Sequence, residues 1–213
     1  IHVYPMPISL SYAEASSMPL TFMTAHQMLF EKAKMSNTDI LLVYGATSGV
    51  GSAAIQIAKD YGCERIISTV GNKQKMKYAE NLGIDAVFLH DNNLYNNVRE
   101  YLGKRKVDVV VEHIGEKTWE TSMKVLNKGG RIVICGATTG SNARINLTHL
   151  FFKQLFAIAN INLGLLLKGN ALVRLNRDVY DKFKEQASLQ PKFQILSNEI
   201  VITQMRIMIN YSV

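Results

Sequence analysis

Short apolar runs alternate along this chain with amphipathic stretches of about ten residues. Residues 40–44 (ILLVY), 65–70 (RIISTV), 86–89 (AVFL), 107–112 (VDVVVE) and 130–135 (GRIVIC) are nearly continuous apolar runs. That pattern predicts strands covered on both faces. Between them, residues 49–61 repeat Val50, Ala54, Ile57 and Tyr61 at helical spacing. Further helices are predicted over 73–82, stopped by Gly83, over 93–102, stopped by Gly103, and over 118–126. Helix-length segments between strands require parallel pairing through right-handed crossovers. The predicted fold is therefore α/β: a Rossmann-type, doubly wound parallel sheet in three layers, α/β/α.

The flanks are less regular. Residues 11–34 carry a helical pattern that Pro19 is expected to break in two. A last strand is predicted over 156–161 and a helix over 171–188. An extended segment follows over 190–202, and a short helix over 203–211.

The first strand ends in YGATSGVG, with Gly45, Gly49 and Gly51 spaced G-x-x-x-G-x-G. In doubly wound sheets, ligands bind beyond the carboxyl ends of the strands. Glycines in the first β–α turn let the backbone approach a pyrophosphate held at a helix N-terminus. The small Ala46, Thr47 and Ser48 keep such an approach open. Taken alone, the loop reads either as a phosphate cradle or as a plain tight connection.

Composition narrows the alternatives. Hydrophobic residues make up 47% of the 213 and charged residues 19%, enough apolar content for a buried core. The net charge is +7, but Lys and Arg are mixed with Asp and Glu. Lys104-Arg105-Lys106 is the only tight basic cluster and reads as a solvated loop, so nucleic acid is not an expected partner. No apolar run reaches membrane-span length, and residues 1–10 lack a basic leader pattern, so no membrane association is expected. Cys63 and Cys135 stand apart from each other and from any metal-spaced histidine. They read as buried free thiols of a reducing, cytoplasmic compartment.

The end of the second strand carries the cofactor choice. A carboxylate roughly 20 residues after the glycines would bind the ribose hydroxyls and favour NAD. Here the position 19 residues after Gly51 is Val70, followed by Gly71-Asn72-Lys73-Gln74-Lys75. A small residue and nearby lysines suit a 2′-phosphate, so NADP(H) is favoured over NAD(H).

PLTFMTAHQML, VYGATSGVGSAAIQIAK, STVGNKQKMKYAENLGID, VDVVVEHIG, GGRIVICGATTG and LFFKQL occur in this order. Together they resemble the cofactor-binding half of the medium-chain dehydrogenase/reductases, the superfamily of zinc-type alcohol dehydrogenases and quinone oxidoreductases. The resemblance implies that Ala46, Thr47, Ser48, Gly49, Val50 and Gly51 wrap the pyrophosphate, and that Gly71 and Lys75 line the 2′-phosphate pocket. It implies that His90 lies on the adenine side, although a strand-end surface histidine reads as well. His113, Ile114 and Gly115 would pass beneath the cofactor ribose. Gly136, Ala137, Thr138 and Thr24 would approach the nicotinamide, with a core threonine the alternative for Thr24. Asn160–Asn162 would lie near the carboxamide, where members commonly have Gly-Ser-like residues. Zinc-dependent members have a cysteine four residues before this threonine. Here it is Leu20, which cannot coordinate a metal, so no metal is expected.

The resemblance also implies an organisation. Residues 1–35 would be linker helices leaving an absent N-terminal catalytic domain, and 36–188 the dinucleotide-binding domain. Residues 189–213 would be a return segment and helix, truncated at the C-terminus. The implied activity is hydride transfer to or from a carbonyl, quinone or activated alkene, with a small-molecule substrate contacted mainly by the absent domain. The alternatives are a non-catalytic nucleotide-binding module and an NAD(H)-dependent alcohol dehydrogenase. A homodimer through the apolar edge strand is expected.

Overall fold

The computed structural model describes Met6 and residues 8–159. These fall into two units, 6–23 and 24–159, and the sheet belongs to the second. The expected helices over 171–188 and 203–211, the extended segment between them and Asn160–Asn162 lie outside the described residues.

Among the described residues six strands form: β1 (Ile40–Val43), β2 (Arg65–Val70), β3 (Ala86–Leu89), β4 (Val107–Glu112), β5 (Leu126–Ile134) and β6 (Phe156–Ala159). They form one parallel sheet in the order β3-β2-β1-β4-β5-β6. That is the order of a doubly wound dinucleotide-binding sheet, and its switch point falls between β1 and β4. The register sets Leu42 beside Ile67 on one side and Val110 on the other.

The helices are α1 (Tyr12–His26), α2 (Gly49–Asp60), α3 (Met76–Glu80), α4 (Leu94–Leu102), α5 (Glu116–Val125) and α6 (Leu147–Lys153). Alternate strand residues supply two faces. Ile40, Leu42, Tyr44, Ile67 and Val110 pack with Leu94, Val98 and Leu102 of α4 and Trp119 and Met123 of α5. Spacing of four places the three α4 residues on one face. Burying each contributes about 1.5–3 kcal/mol. The other face, with Leu41 and Val43 fully buried, takes α2 through Ala53, Ala54 and Ala58, whose small side chains permit close helix–sheet approach.

Three differences from the sequence reading exceed a shift of one or two residues. Pro19 does not break the first helix: α1 runs through it, and the geometry changes only at a π-helical turn over Gln27–Lys32. A proline inside a helix removes one backbone donor and bends the axis, and neighbouring turns can carry that cost. Hydroxyls reinforce those turns: Ser17 Oγ donates to Glu14 O and Thr21 Oγ1 to Ser17 O. The helix expected over 73–82 is a 3₁₀ turn (Lys73–Lys75) capped by Asn72, then α3. Strand β5 begins at Leu126, four residues early, because Leu126 pairs with Val107 before a register shift in β4.

Candidate nucleotide-binding site

The glycine loop lies at the carboxyl end of β1. Gly45 has φ +67°, a conformation that favours glycine. Its N–H donates to Thr69 Oγ1 (3.3 Å), and Ala46 N–H donates to Thr69 O (2.8 Å). Ser48 is the N-cap of α2, and its Oγ accepts from Gly51 N–H at 2.9 Å. The loop closes through Ser48 N–H to Gly45 O at 2.8 Å. A side chain on Gly51 would overlap the Gly45 carbonyl oxygen and stand 2.8 Å from Ser48 Oγ. Gly51 is therefore the point where helix and strand end touch. Gly49 and Val50 open the helix, where no carbonyl of the same helix is available to their N–H groups.

His113, just past β4, supports this loop from the side. Its Nε2 lies 2.9 Å from Tyr44 O and 3.2 Å from Ser48 Oγ. A carbonyl oxygen only accepts, so Nε2 carries the hydrogen. That hydrogen points to Tyr44 O, the shorter contact, with Ser48 Oγ alongside, and Ser48 Oγ also accepts from Gly51 N–H. The positive end of α2 suits an anion.

The remaining expected residues sort into neighbouring groups. Gly71 and His90 meet at the ends of β2 and β3: a Cβ on Gly71 would stand 3.4 Å from His90 Nε2. His90 Nδ1 lies 3.2 Å from Thr69 Oγ1. Burial holds the His90 pKa below its ordinary value. Lys75 is exposed on the 3₁₀ turn, its N–H held by the Asn72 side chain. The segments after β4 and β5 are zipped together. Thr138 N–H donates to His113 O (3.2 Å) and Thr139 N–H to Ile114 O (2.7 Å). A Cβ on Gly115 would stand 2.9 Å from Ala137 Cα, and one on Gly136 would stand 3.5 Å from His113 Cβ. Thr24 is half-buried in α1 and is not hydrogen-bonded to these loops among the described residues.

A family model described as zinc-binding dehydrogenase matches residues 49–163, more than half the chain. The chain belongs to that family. This zinc-binding dehydrogenase-family chain is similar to the quinone oxidoreductase of Homo sapiens, 29% identical over 136 residues. That match covers 63% of this chain and 41% of the relative, so the chain spans about two fifths of the length of the curated relatives it matches. Among solved structures it resembles an NAD-dependent alcohol dehydrogenase, 34% identical with a TM-score of 0.75, covering 86% of this chain and 51% of that one. It also resembles a 2-octenoyl-CoA carboxylase reductase in complex with NADP and 2-octenoyl-CoA, 27% identical with a TM-score of 0.73, covering 86% of this chain and 44% of that one. Among the described residues of this family member, no group of three or more His, Cys, Asp or Glu side chains is placed to hold a metal ion. Nor is any described helix long and apolar enough to cross a membrane.

Two residues of the site escaped the sequence reading. Thr69 links Gly45 to His90 across β2. Its signal, a hydroxyl at the end of an apolar strand, is common and unspecific. Glu112 is fully buried at the end of β4. Its Oε1 accepts from Ile114 N–H (2.7 Å) and Gly115 N–H (3.2 Å), and its carboxylate also takes Thr118 Oγ1 (3.0 Å) and Ser122 Oγ (2.8 Å). It lies at the N-terminus of α5, whose dipole favours a negative charge. The carboxylate that closes VDVVVE was a legible signal: an acid ending a buried strand needs partners.

Proposed function

We propose that this chain is the cofactor-binding part of an NADP(H)-dependent oxidoreductase that works without catalytic zinc. The reaction is hydride transfer to or from a carbonyl, quinone or activated alkene. The observation that carries this reading is the Gly51–Gly45 contact beneath the opening N–H groups of α2, with Ser48 capping the helix. A pyrophosphate suits the opening N–H groups of α2, and the turn that presents them can take this path because Gly51 has no Cβ to meet the Gly45 carbonyl. When bound, the nicotinamide supplies or accepts the hydride. The chain's own residues hold the phosphates at Ser48, Gly49 and Val50, and orient the ribose over the His113–Gly115 segment. They bring the nicotinamide to Gly136–Thr138 and Thr24. Leu20, where a zinc-dependent enzyme needs a thiolate, supports the metal-free reading.

The 2′-phosphate reading rests on the end of β2. Val70 is buried, Gly71 leaves space beside His90, and Lys75 stands close enough for its charge to act on His90. The two solved relatives are named for NAD and NADP respectively, so the preference rests on these residues. Fluorescence titration tests it. NADPH is expected to bind at least ~10-fold more tightly than NADH, the scale of one charge-assisted contact, and Lys75→Glu to erase the difference. Tighter NADH binding would overturn the NADP(H) assignment, and binding of neither nucleotide would overturn the function.

We further infer a homodimer through β6. Among the described residues the strand is at the sheet edge; Phe156 is 57% exposed, and Phe151 and Phe152 are 75% and 70% exposed. An unpaired apolar edge recruits a second strand. Sedimentation equilibrium at tens of micromolar is expected to give twice the chain mass; a monomer refutes it. Cys63 and Cys135 are free but half-buried, not buried as expected; burial still pushes both up to about 11, which keeps them protonated and fits a reducing, cytoplasmic setting.

A further inference from the structure

The basic cluster is exposed, as expected of a solvated loop, and it also borders a cavity. Residues 103–106 (Gly-Lys-Arg-Lys) join α4 to the amino end of β4, at the opposite end of the sheet from the glycine loop. With α4, α5 and α6 they line a cavity of about 460 Å³. That volume is within the roughly 300–1,000 Å³ of small-molecule sites. Six lysines and arginines and one histidine line it, and no carboxylate does.

Three of the six cations already have partners. Lys153 Nζ donates to the carbonyls of Met123, Lys124 and Leu126, capping the end of α5. Arg105 pairs with Glu64, and Lys124 with Glu120. Among the described residues, Arg99, Lys104 and Lys106 have no ion pair. Like charges so close repel one another unless an anion joins them. The neighbourhood registers it: the Lys153 pKa is lowered, first by burial and then by Lys106.

The floor of the cavity is apolar, built from Val98, Leu102 and Val125, and Tyr95 adds an aromatic face. The Arg99 guanidinium lies 5.8 Å from the centre of that ring. We propose that this cavity is a second ligand site, separate from the glycine loop, for a small organic polyphosphate of nucleotide type. Arg99, Lys104 and Lys106 take the phosphates, and the flat ring packs on Tyr95 and the apolar floor. Charge-assisted contacts and stacking on an aromatic face are the two terms such a ligand needs.

Isothermal titration with ATP tests this, using the chain first saturated with NADPH and then the chain alone. The wild-type chain is expected to bind ATP in both conditions. Lys104→Gln/Lys106→Gln is expected to weaken ATP at least ~10-fold, with the melting temperature and NADPH affinity unchanged. Arg99→Gln is the second variant, expected to act in the same direction. No ATP binding, or equal ATP binding by the variants, overturns the proposal. Tripolyphosphate binding as tightly as ATP overturns the assignment of the ring to Tyr95. Because the variants are read without NADPH too, a failure of the cofactor reading leaves this outcome intact.

Discussion

A Gly51→Val chain is expected to lose NADPH binding by two orders of magnitude or more and to melt about 6–12 °C lower. The side chain would meet the backbone oxygen of Gly45, not a movable side chain. Relief requires α2 to back away from the end of β1 or the 45–48 turn to open. Either change breaks the Ser48–Gly51 cap and the Ser48–Gly45 closure together. Overpacking of this kind costs about 3 kcal/mol, which converts to the stated melting shift for a chain of this size and to roughly a hundredfold in affinity if the loop distorts by as much. Gly71→Ala is the control. Its Cβ would meet His90 at an ordinary 3.4 Å, so less than about 1 kcal/mol is expected. Differential scanning calorimetry and NADPH titration check both variants. Equal behaviour of the two would remove the Gly51 contact as the basis of the loop.

The contrast between these glycines marks what the sequence could and could not disclose. Strands β2, β3 and β4 coincide with their apolar runs residue for residue; for β2 and β4, covered on both faces, no solvent side blurs the ends. Gly51 was legible as a close approach from its place between an apolar run and a small-faced helix. The partner of that approach, the Gly45 carbonyl, was not, since local pattern does not encode the φ of Gly45. Pro19 misled for a related reason: propensity describes an isolated helix, and α1 is held by more than its own ladder. The basic turn at 104–106 is exposed, as its charge suggested, but charge alone does not reveal the cavity it borders, built by α4, α5 and α6, which approach only in the fold. His113 was expected beneath the ribose. Its hydrogen bonds to Tyr44 and Ser48 assign it a different task as well, that of holding the glycine loop in shape, and those bonds span 65 residues or more.

Glu112 extends the same logic inward and carries the second large effect. Glu112→Ala is expected to cost about 3–5 kcal/mol and to lower the melting temperature by about 10 °C or more. Removing the carboxylate strips the acceptor from two backbone N–H groups and the hydroxyls of Thr118 and Ser122, all in a buried setting. Ser122 Oγ also lies 3.1 Å from the buried Tyr44 hydroxyl. That phenol's pKa is raised, first by burial and then by the Glu112 charge. The buried carboxyl group meets donors from two directions, the 113–115 turn and the first turns of α5. Glu112→Gln keeps the volume and one acceptor oxygen but presents an amide to hydroxyls that need an acceptor, so an intermediate loss of about 1–2 kcal/mol is expected. The consequence reaches the cofactor. The Ile114 and Gly115 N–H bonds set the path of the chain just after His113, so both variants should weaken NADPH in the same rank order as they lose stability. Calorimetry and NADPH titration on the wild type and the two variants measure this together. If Glu112→Ala melts like the wild type, water has replaced the carboxylate and Glu112 does not organise the turn; if it melts low but binds NADPH normally, the turn and the phosphate loop are uncoupled.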